Sequence, residues 1–201
     1  MTTEMHNTGS GIETSPDTDS AAPAATRAAP GETALDRLAP VCGDLEMRIA
    51  RDGTWFYHGS PIGRKRLVRL FATVLKREPD GQYYLETPVE KGRIEVEDAP
   101  FVAVAVTVSG EGSDASLRFR TNLDDEITAG PDCPIRVDHD PLTGEPSPYV
   151  MVRDGLEALI ARAVYYELVS IGGEHAVEGE TLFGVWSEGV FFSLGPAPET
   201  E

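Results

Sequence analysis

The spacing of apolar positions changes along this chain, and the changes mark its elements. Up to residue 40 there are few large apolar residues and no Phe, Trp or Tyr. A stretch this rich in Thr, Ser, Ala, Pro and acids cannot bury enough surface to offset chain entropy, so 1–40 reads as a disordered tail. A partner-binding arm is the other reading. From Val41 the pattern turns regular. Residues 46–51 alternate into Asp52-Gly53, and the aromatic run 54–58 follows. Asp-Gly between two strand-like runs signals a hairpin. Ser60 suits a helix N-cap and Pro61 the first helical position. Leu67, Leu70, Phe71, Val74 and Leu75 recur at three- and four-residue steps, so a helix is predicted from there to about Arg77.

Strands are predicted over 82–86, 91–97 and 101–108, with a turn at Gly110 and Gly112. Residues 116–121 alternate, placing Leu117 and Phe119 on one face and Arg118 and Arg120 on the other. Residues 135–138 form a further strand. The second half then repeats the first in pattern. Residues 135–137 match 47–49, a turn-rich linker 140–148 stands for Asp52-Gly53, and 149–152 stand for 55–58. Asp154 and Glu157 read as a capping box. The second helix it opens would bury Leu156, Leu159, Ile160, Ala163, Val164 and Leu168. Strands over 181–186 and 190–194 close the chain. The prediction is an α+β protein with tail 1–40 and two tandem similar lobes, 41–110 and 111–201. Each lobe packs antiparallel strands on one helix. A cleft between similar lobes is a common place for a ligand.

Composition narrows the partners. The chain has 201 residues, 40% apolar, and a net charge of -17. Such a balance repels polyanions, which argues against duplex nucleic acid and an anionic membrane face. No run approaches the roughly 18 apolar residues of a membrane span. Residues 1–20 have neither the basic start nor the apolar run of a signal peptide, so a cytoplasmic location is expected. Cys42 and Cys133 fit two free thiols there, and alone they cannot fill a zinc shell.

The cations are unevenly spread. Arg64, Lys65, Arg66, Arg69, Lys76 and Arg77 are six of seventeen Lys and Arg residues and fall on or beside the first predicted helix. Arg64 and the backbone of 61–63 sit where a helix start favours an anion, and Gly63 permits close approach. The set is either a phosphate or carboxylate cradle or a solvated face paired with acids. Trp55 and Tyr57 share one strand face and Phe56 and His58 the other, so one pair belongs to the core and the other can stack on a base. Arg118 and Arg120, beside Thr121 and Asn122, suit phosphate or the nearby Asp124, Asp125 and Glu126. Those oxygens, with Asn122, raise the idea of a hard cation, but their spacing fits no EF-hand loop. Tyr165, Tyr166, Arg153 and Arg162 belong to the second predicted helix. They would face the basic helix if the halves pair about a pseudo-twofold axis. No nucleophile elbow, Walker loop, dinucleotide fingerprint or zinc-protease helix occurs, and no cofactor is expected.

Several strings carry a resemblance. They are Cys42-Gly43-Asp44, Met47-Arg48-Ile49, Asp52-Gly53-Thr54-Trp55-Phe56-Tyr57 and Gly59-Ser60-Pro61-Ile62. Thr87-Pro88-Val89-Glu90-Lys91, the run from Arg93 to Phe101, Arg120-Thr121-Asn122, Pro148-Tyr149-Val150 and Gly184-Val185-Trp186 continue them. Together they resemble the bacterial family called domain of unknown function 1285, over about 41–196. The resemblance implies a duplicated core whose second half is pleckstrin-homology-like. It also implies a ligand pocket between the halves and a role in signal transduction with a nucleotide-based ligand. It lends no catalytic residue. The family-like polar and aromatic positions Arg48, Trp55, Tyr57, Ser60, Lys91, Arg93, Arg120, Asn122 and Tyr149, joined by Arg64, are the expected ligand-binding set. Lys91 and Arg93 have Glu90, Glu95 and Glu97 as alternative partners. The reading is therefore a non-catalytic module for a small nucleotide-like molecule. A protein-interaction module comes second. A metal-assisted hydrolase using Asp124, Asp125, Glu126 and a histidine comes third.

Overall fold

Strand β1 (Val41–Ile49) turns through Gly53, at φ +81°, into β2 (Trp55–Tyr57), as the Asp-Gly pair predicts. The computed structural model describes residues 41–177 and 179–197, with side chains from residue 43. The tail reading of 1–40 and the Cys42 thiol lie outside the described residues and side chains. Among the described side chains Cys133 is a free thiol.

The first predicted helix is shorter at both ends than its apolar spacing suggests. Ser60 and Pro61 form a two-residue strand, β3 (Ser60–Pro61), paired with Tyr57 and Phe56 across the left-handed His58-Gly59 turn. Ser60 is therefore no helix cap. Helix α1 (Lys65–Thr73) starts after Arg64, which makes no side-chain cap bond. It buries Val68 and Ala72 and leaves Leu67 and Leu70 outward. Leu75 is buried from a strand, β4 (Leu75–Arg77), paired with β5 (Tyr83–Glu86). A mixed run of leucines fits two periods, and the strand partner decides where the helix stops. β6 (Lys91–Val96) completes the lobe, pairing antiparallel with β5 and parallel with β1. The six strands run β3-β2-β1-β6-β5-β4.

β7 (Phe101–Ser109), β8 (Ser116–Thr121) and β9 (Glu126–Thr128) follow as a meander. The expected boundary at 110 puts β7 with the first lobe, whereas it is hydrogen-bonded into the second sheet. Then β10 (Ile135–His139), β11 (Pro146–Arg153) and β12 (Leu156–Ile160) repeat the first three strands. Here the predicted second helix needs correction. Asp154 and Gly155, at φ +43° and +77°, form a hairpin turn rather than a cap. Leu156, Ala158 and Ile160 are buried at a period of two, so the run is a strand, pairing parallel with β7. Helix α2 (Arg162–Ile171) begins only after Ala161 and buries Val164 and Leu168. β13 (Gly173–Val177), β14 (Glu180–Ser187) and β15 (Val190–Pro196) form a separate antiparallel sheet. The other six strands of this half run β10-β11-β12-β7-β8-β9.

The architecture is mixed α and β, mostly strands, with two helices in two similar lobes. Three strands, a helix and three strands occur twice, with β7–β9 between. The sheets are mixed rather than purely antiparallel, because β1·β6 and β12·β7 run parallel.

One apolar core spans both lobes. Ile49, Trp55 and Val68 of the first join Phe101, Phe119, Val150, Ile160 and Leu168 of the second. Each large side chain so buried contributes roughly 1.5–3 kcal/mol. The seam between the lobes is thus packed through its centre, and open space lies at its margins.

Candidate functional site

A hollow of about 190 Å³ opens where the first lobe's hairpin loop meets the second lobe. Arg51 comes from that loop, Pro146 to Pro148 from the start of β11, and Arg162, Tyr165 and Tyr166 from the first turns of α2. The local sequence leaves this helix start bare of negative charge. Ala161 occupies the N-cap without a side-chain bond, and the first turn carries no acid. The opening N–H groups of a helix carry partial positive charge and favour an anion.

Two guanidinium groups flank that start. Arg51 Nε lies 3.0 Å from Asp98 Oδ2, and its Nη2 is 3.4 Å from Ser147 Oγ. Its backbone N–H donates to Glu97 Oε2 at 3.0 Å. Arg162 Nε donates to the Tyr166 hydroxyl at 2.9 Å and, among the described residues, has no carboxylate within 4 Å. Tyr165 donates to the Leu194 carbonyl at 3.4 Å, and burial pushes its phenol up. Glu145 lines the rim with the opposite sign. Guanidinium, phenol and hydroxyl groups around a helix start can hold a phosphate or carboxylate. The volume is below the roughly 300 Å³ of a pocket that encloses a drug-sized ligand, so it fits a head group.

The expected binding residues are not gathered there. Trp55 is 1% exposed, stacks on Phe71 with ring centres 6.2 Å apart, and belongs to the core. Its indole Nε1 is buried and, among the described residues, has no hydrogen-bond partner. Tyr57 is exposed beside His58, and Ser60 and Arg64 are exposed. Arg48 pairs with Glu97 and covers the Phe56 ring at 4.4 Å. Lys91 is bound to Glu78 at 2.8 Å and lies over Tyr84. Arg93 grips Asp44 at 2.5 and 2.8 Å, and each group moves the other: the guanidinium lowers the carboxyl and the carboxylate raises the guanidinium. Arg48 and Arg93 do share one shallow hollow of about 510 Å³, but Asp44, Glu46 and Glu95 line it too. Arg120 faces Asp124 at 3.9 Å.

Two of the expected residues stand at the lobe junction in structural roles. Asn122 Oδ1 accepts from the Val102 N–H at 3.1 Å, and Nδ2 donates to the Gly53 carbonyl at 3.3 Å. Tyr149 donates to Asp98 at 2.7 Å beneath the Arg136 guanidinium. Burial first, and Asp98 second, push its phenol up to about 12. Asp98 thus ties Tyr149 and Arg51 together, so Tyr149 adjoins the hollow through one intervening side chain.

Arg51 escaped the sequence reading because a single arginine before a hairpin turn carries no pattern. Arg153 does reach the first helix, donating to the Ala72 carbonyl at 2.6 Å, whereas Arg162 lies at the hollow instead. The oxygen cluster after β8 is divided among cations. Asp124 faces Lys65 and Arg69, and Glu126 faces Arg118. Among the described residues no three His, Cys, Asp or Glu side chains converge as a metal site. No helix among them is long and apolar enough to cross a membrane.

Residues 36–99 match the family model described as domain of unknown function DUF1285, N-terminal domain, and residues 100–194 match its C-terminal domain. The chain belongs to the DUF1285 family. A DUF1285 protein from Silicibacter pomeroyi is 50% identical in its crystal structure, over 87% of this chain and 93% of that one, with a TM-score of 0.74. A DUF1285 protein from Shewanella baltica is 30% identical over 60% of this chain and 87% of that one, with a TM-score of 0.48. Among curated proteins, none matches. The break between the two DUF1285 models, at 99 and 100, falls just before β7.

Proposed function

We propose that this DUF1285 protein is a non-catalytic binding module for a small phosphorylated, nucleotide-like molecule. The hollow between the lobes takes the anionic head group. One observation carries the reading: Arg51 and Arg162, from different lobes, line one hollow at a helix start without an acidic cap. A phosphate there gains two forked donors and the helix dipole. The aromatic ring of Tyr166, half exposed beside Arg162, offers a surface for a base at the edge of the hollow. The ligand would draw Arg51 away from Asp98 and so bear on how the lobes hold each other, which suits a signalling role in the cytoplasm. A pleckstrin-homology-like second lobe accords with such a role and is part of the same proposal.

The test is a thermal-shift panel of mono-, di- and cyclic nucleotides, with inorganic phosphate as reference. A ligand that binds the native state alone adds about 2.7 kcal/mol of stability at a hundredfold excess over Kd and so raises the melting temperature. A shift for at least one nucleotide is expected. A flat panel at millimolar ligand refutes the reading.

A further inference from the structure

The strongest concentration of positive charge lies away from that hollow, on α1 and the adjoining β8. Lys65 Nζ is 2.8 Å, Arg69 Nη1 3.4 Å and Arg120 Nη1 3.9 Å from the carboxylate of Asp124. One carboxylate thus serves three cations. Arg64 and Arg66, on the same stretch, are exposed and have no carboxylate within 4 Å among the described residues. Counting Arg118 with Glu126, and Asp125 beside Arg69, six cations here meet three acids in a chain of net charge -17.

The same helix turns apolar side chains outward. Leu70 is 61% and Leu67 36% exposed, although Val68 and Ala72 already fill its buried face. An outward leucine pair beside uncompensated guanidinium groups complements a segment that mixes carboxylates with apolar side chains. A nucleic acid or an anionic bilayer would also confront the acidic remainder of the surface, whereas a short segment need not.

We infer that α1 and β8 form a docking surface for an acidic, leucine-bearing segment of a partner protein, whose carboxylates take the place of Asp124 among Lys65, Arg69 and Arg120. Asp124 is then a built-in competitor. The three cations hold its carboxyl below the usual carboxylate range, so it competes in ionised form at neutral pH. Its backbone is left-handed, at φ +66°, a conformation asparagine also tolerates.

The experiment is fluorescence anisotropy on the full chain. The probe is a fluorescein-labelled peptide in which pairs of glutamate alternate with leucine. A lysine–leucine peptide, a single-stranded oligonucleotide and phosphatidylserine vesicles are the comparison arms. The glutamate–leucine probe should bind most tightly and weaken as salt rises. D124N should tighten it about three- to tenfold, and R66E with L70S should weaken it at least about tenfold. R66E alone, at an exposed side chain, provides a second variant if the double substitution unfolds. Unchanged affinity in D124N, unchanged affinity in R66E, or tighter binding of the oligonucleotide or vesicles overturns the proposal. So does the absence of saturation at millimolar protein.

Discussion

The side-chain amide of Asn122 donates to the carbonyl of Gly53 across the junction of the lobes, at 3.3 Å. The two residues meet so closely that a Cβ built on Gly53 would stand 2.4 Å from Asn122 Nδ2. Gly53 is therefore held twice, by its φ of +81° and by its neighbour.

Gly155 makes the natural control. It closes another Asp-Gly hairpin at φ +77°, with nothing within 4 Å of a built Cβ. G155A should cost about 1 kcal/mol for the left-handed backbone alone. G53A should cost at least about 2 kcal/mol, because the clash adds to it. N122A leaves the Val102 N–H without its acceptor and should cost about 1–3 kcal/mol. Urea denaturation measures all three. Equal losses for the two glycines would contradict the close contact.

Tyr149 should make stability fall at high pH. Its phenol ionises at about 12 in the folded chain and near 10 when unfolded. A folded value above the unfolded one gives a contribution that is whole below pH 10 and lost as pH climbs through 12. Across that window the urea midpoint of the parent protein should drop more steeply than that of Y149F. Parallel slopes would show that Asp98 and burial do not hold the proton.

Arg153 ties the second lobe to the end of the first helix. Its guanidinium donates to the Ala72 carbonyl and lies over Phe101 at 5.2 Å. R153M keeps the stem but removes the charged donor, and should cost about 1–3 kcal/mol. Amide exchange should speed up in α1 before it does in α2. Uniform acceleration would mean that the bond is not specific to that helix.

The inter-lobe hollow separates its own residues from those the sequence favoured. R51A and R162Q should each abolish the thermal shift given by a nucleotide or phosphate. R93Q, whose parent side chain is bound to Asp44 elsewhere, should leave it intact. Loss in R93Q and retention in R162Q would move the site to the outer face of the first sheet.

Strand periods and turns were readable where one face is buried and the turn residues are specific. Leu117 and Phe119 point inward with Arg118 and Arg120 outward, as their alternation predicts. The sequence misled where one run satisfies two periods. Leu156, Leu159 and Ile160 fit a helical stripe, yet Leu156, Ala158 and Ile160 fit a strand, and the partners in β7 lie nearly sixty residues away in the chain. The hairpin rule applied to Asp52-Gly53 would have identified Asp154-Gly155 as well. Basic side chains were the least legible, because charge says nothing about where the nearest acid will fold. Arg48, Arg93 and Lys91 look alike as candidates in sequence, and each meets a carboxylate in space. Arg51 and Arg162, more than a hundred positions apart, come together only once both lobes are built.

The parallel pairing of β1 with β6 sets an order of events during synthesis. Val41 lies beside Lys91 and Ile49 beside Val96, so the first sheet is complete in a nascent chain that ends before β7. Domains emerge and fold from the N-terminus. All six strands of this sheet leave the ribosome before the Asn122 amide and the Arg153 guanidinium are made, while Ile49, Trp55 and Val68 wait for Phe101, Phe119 and Leu168 to complete their core. The junction therefore closes last, when the later lobe brings the other half of the core that the two share.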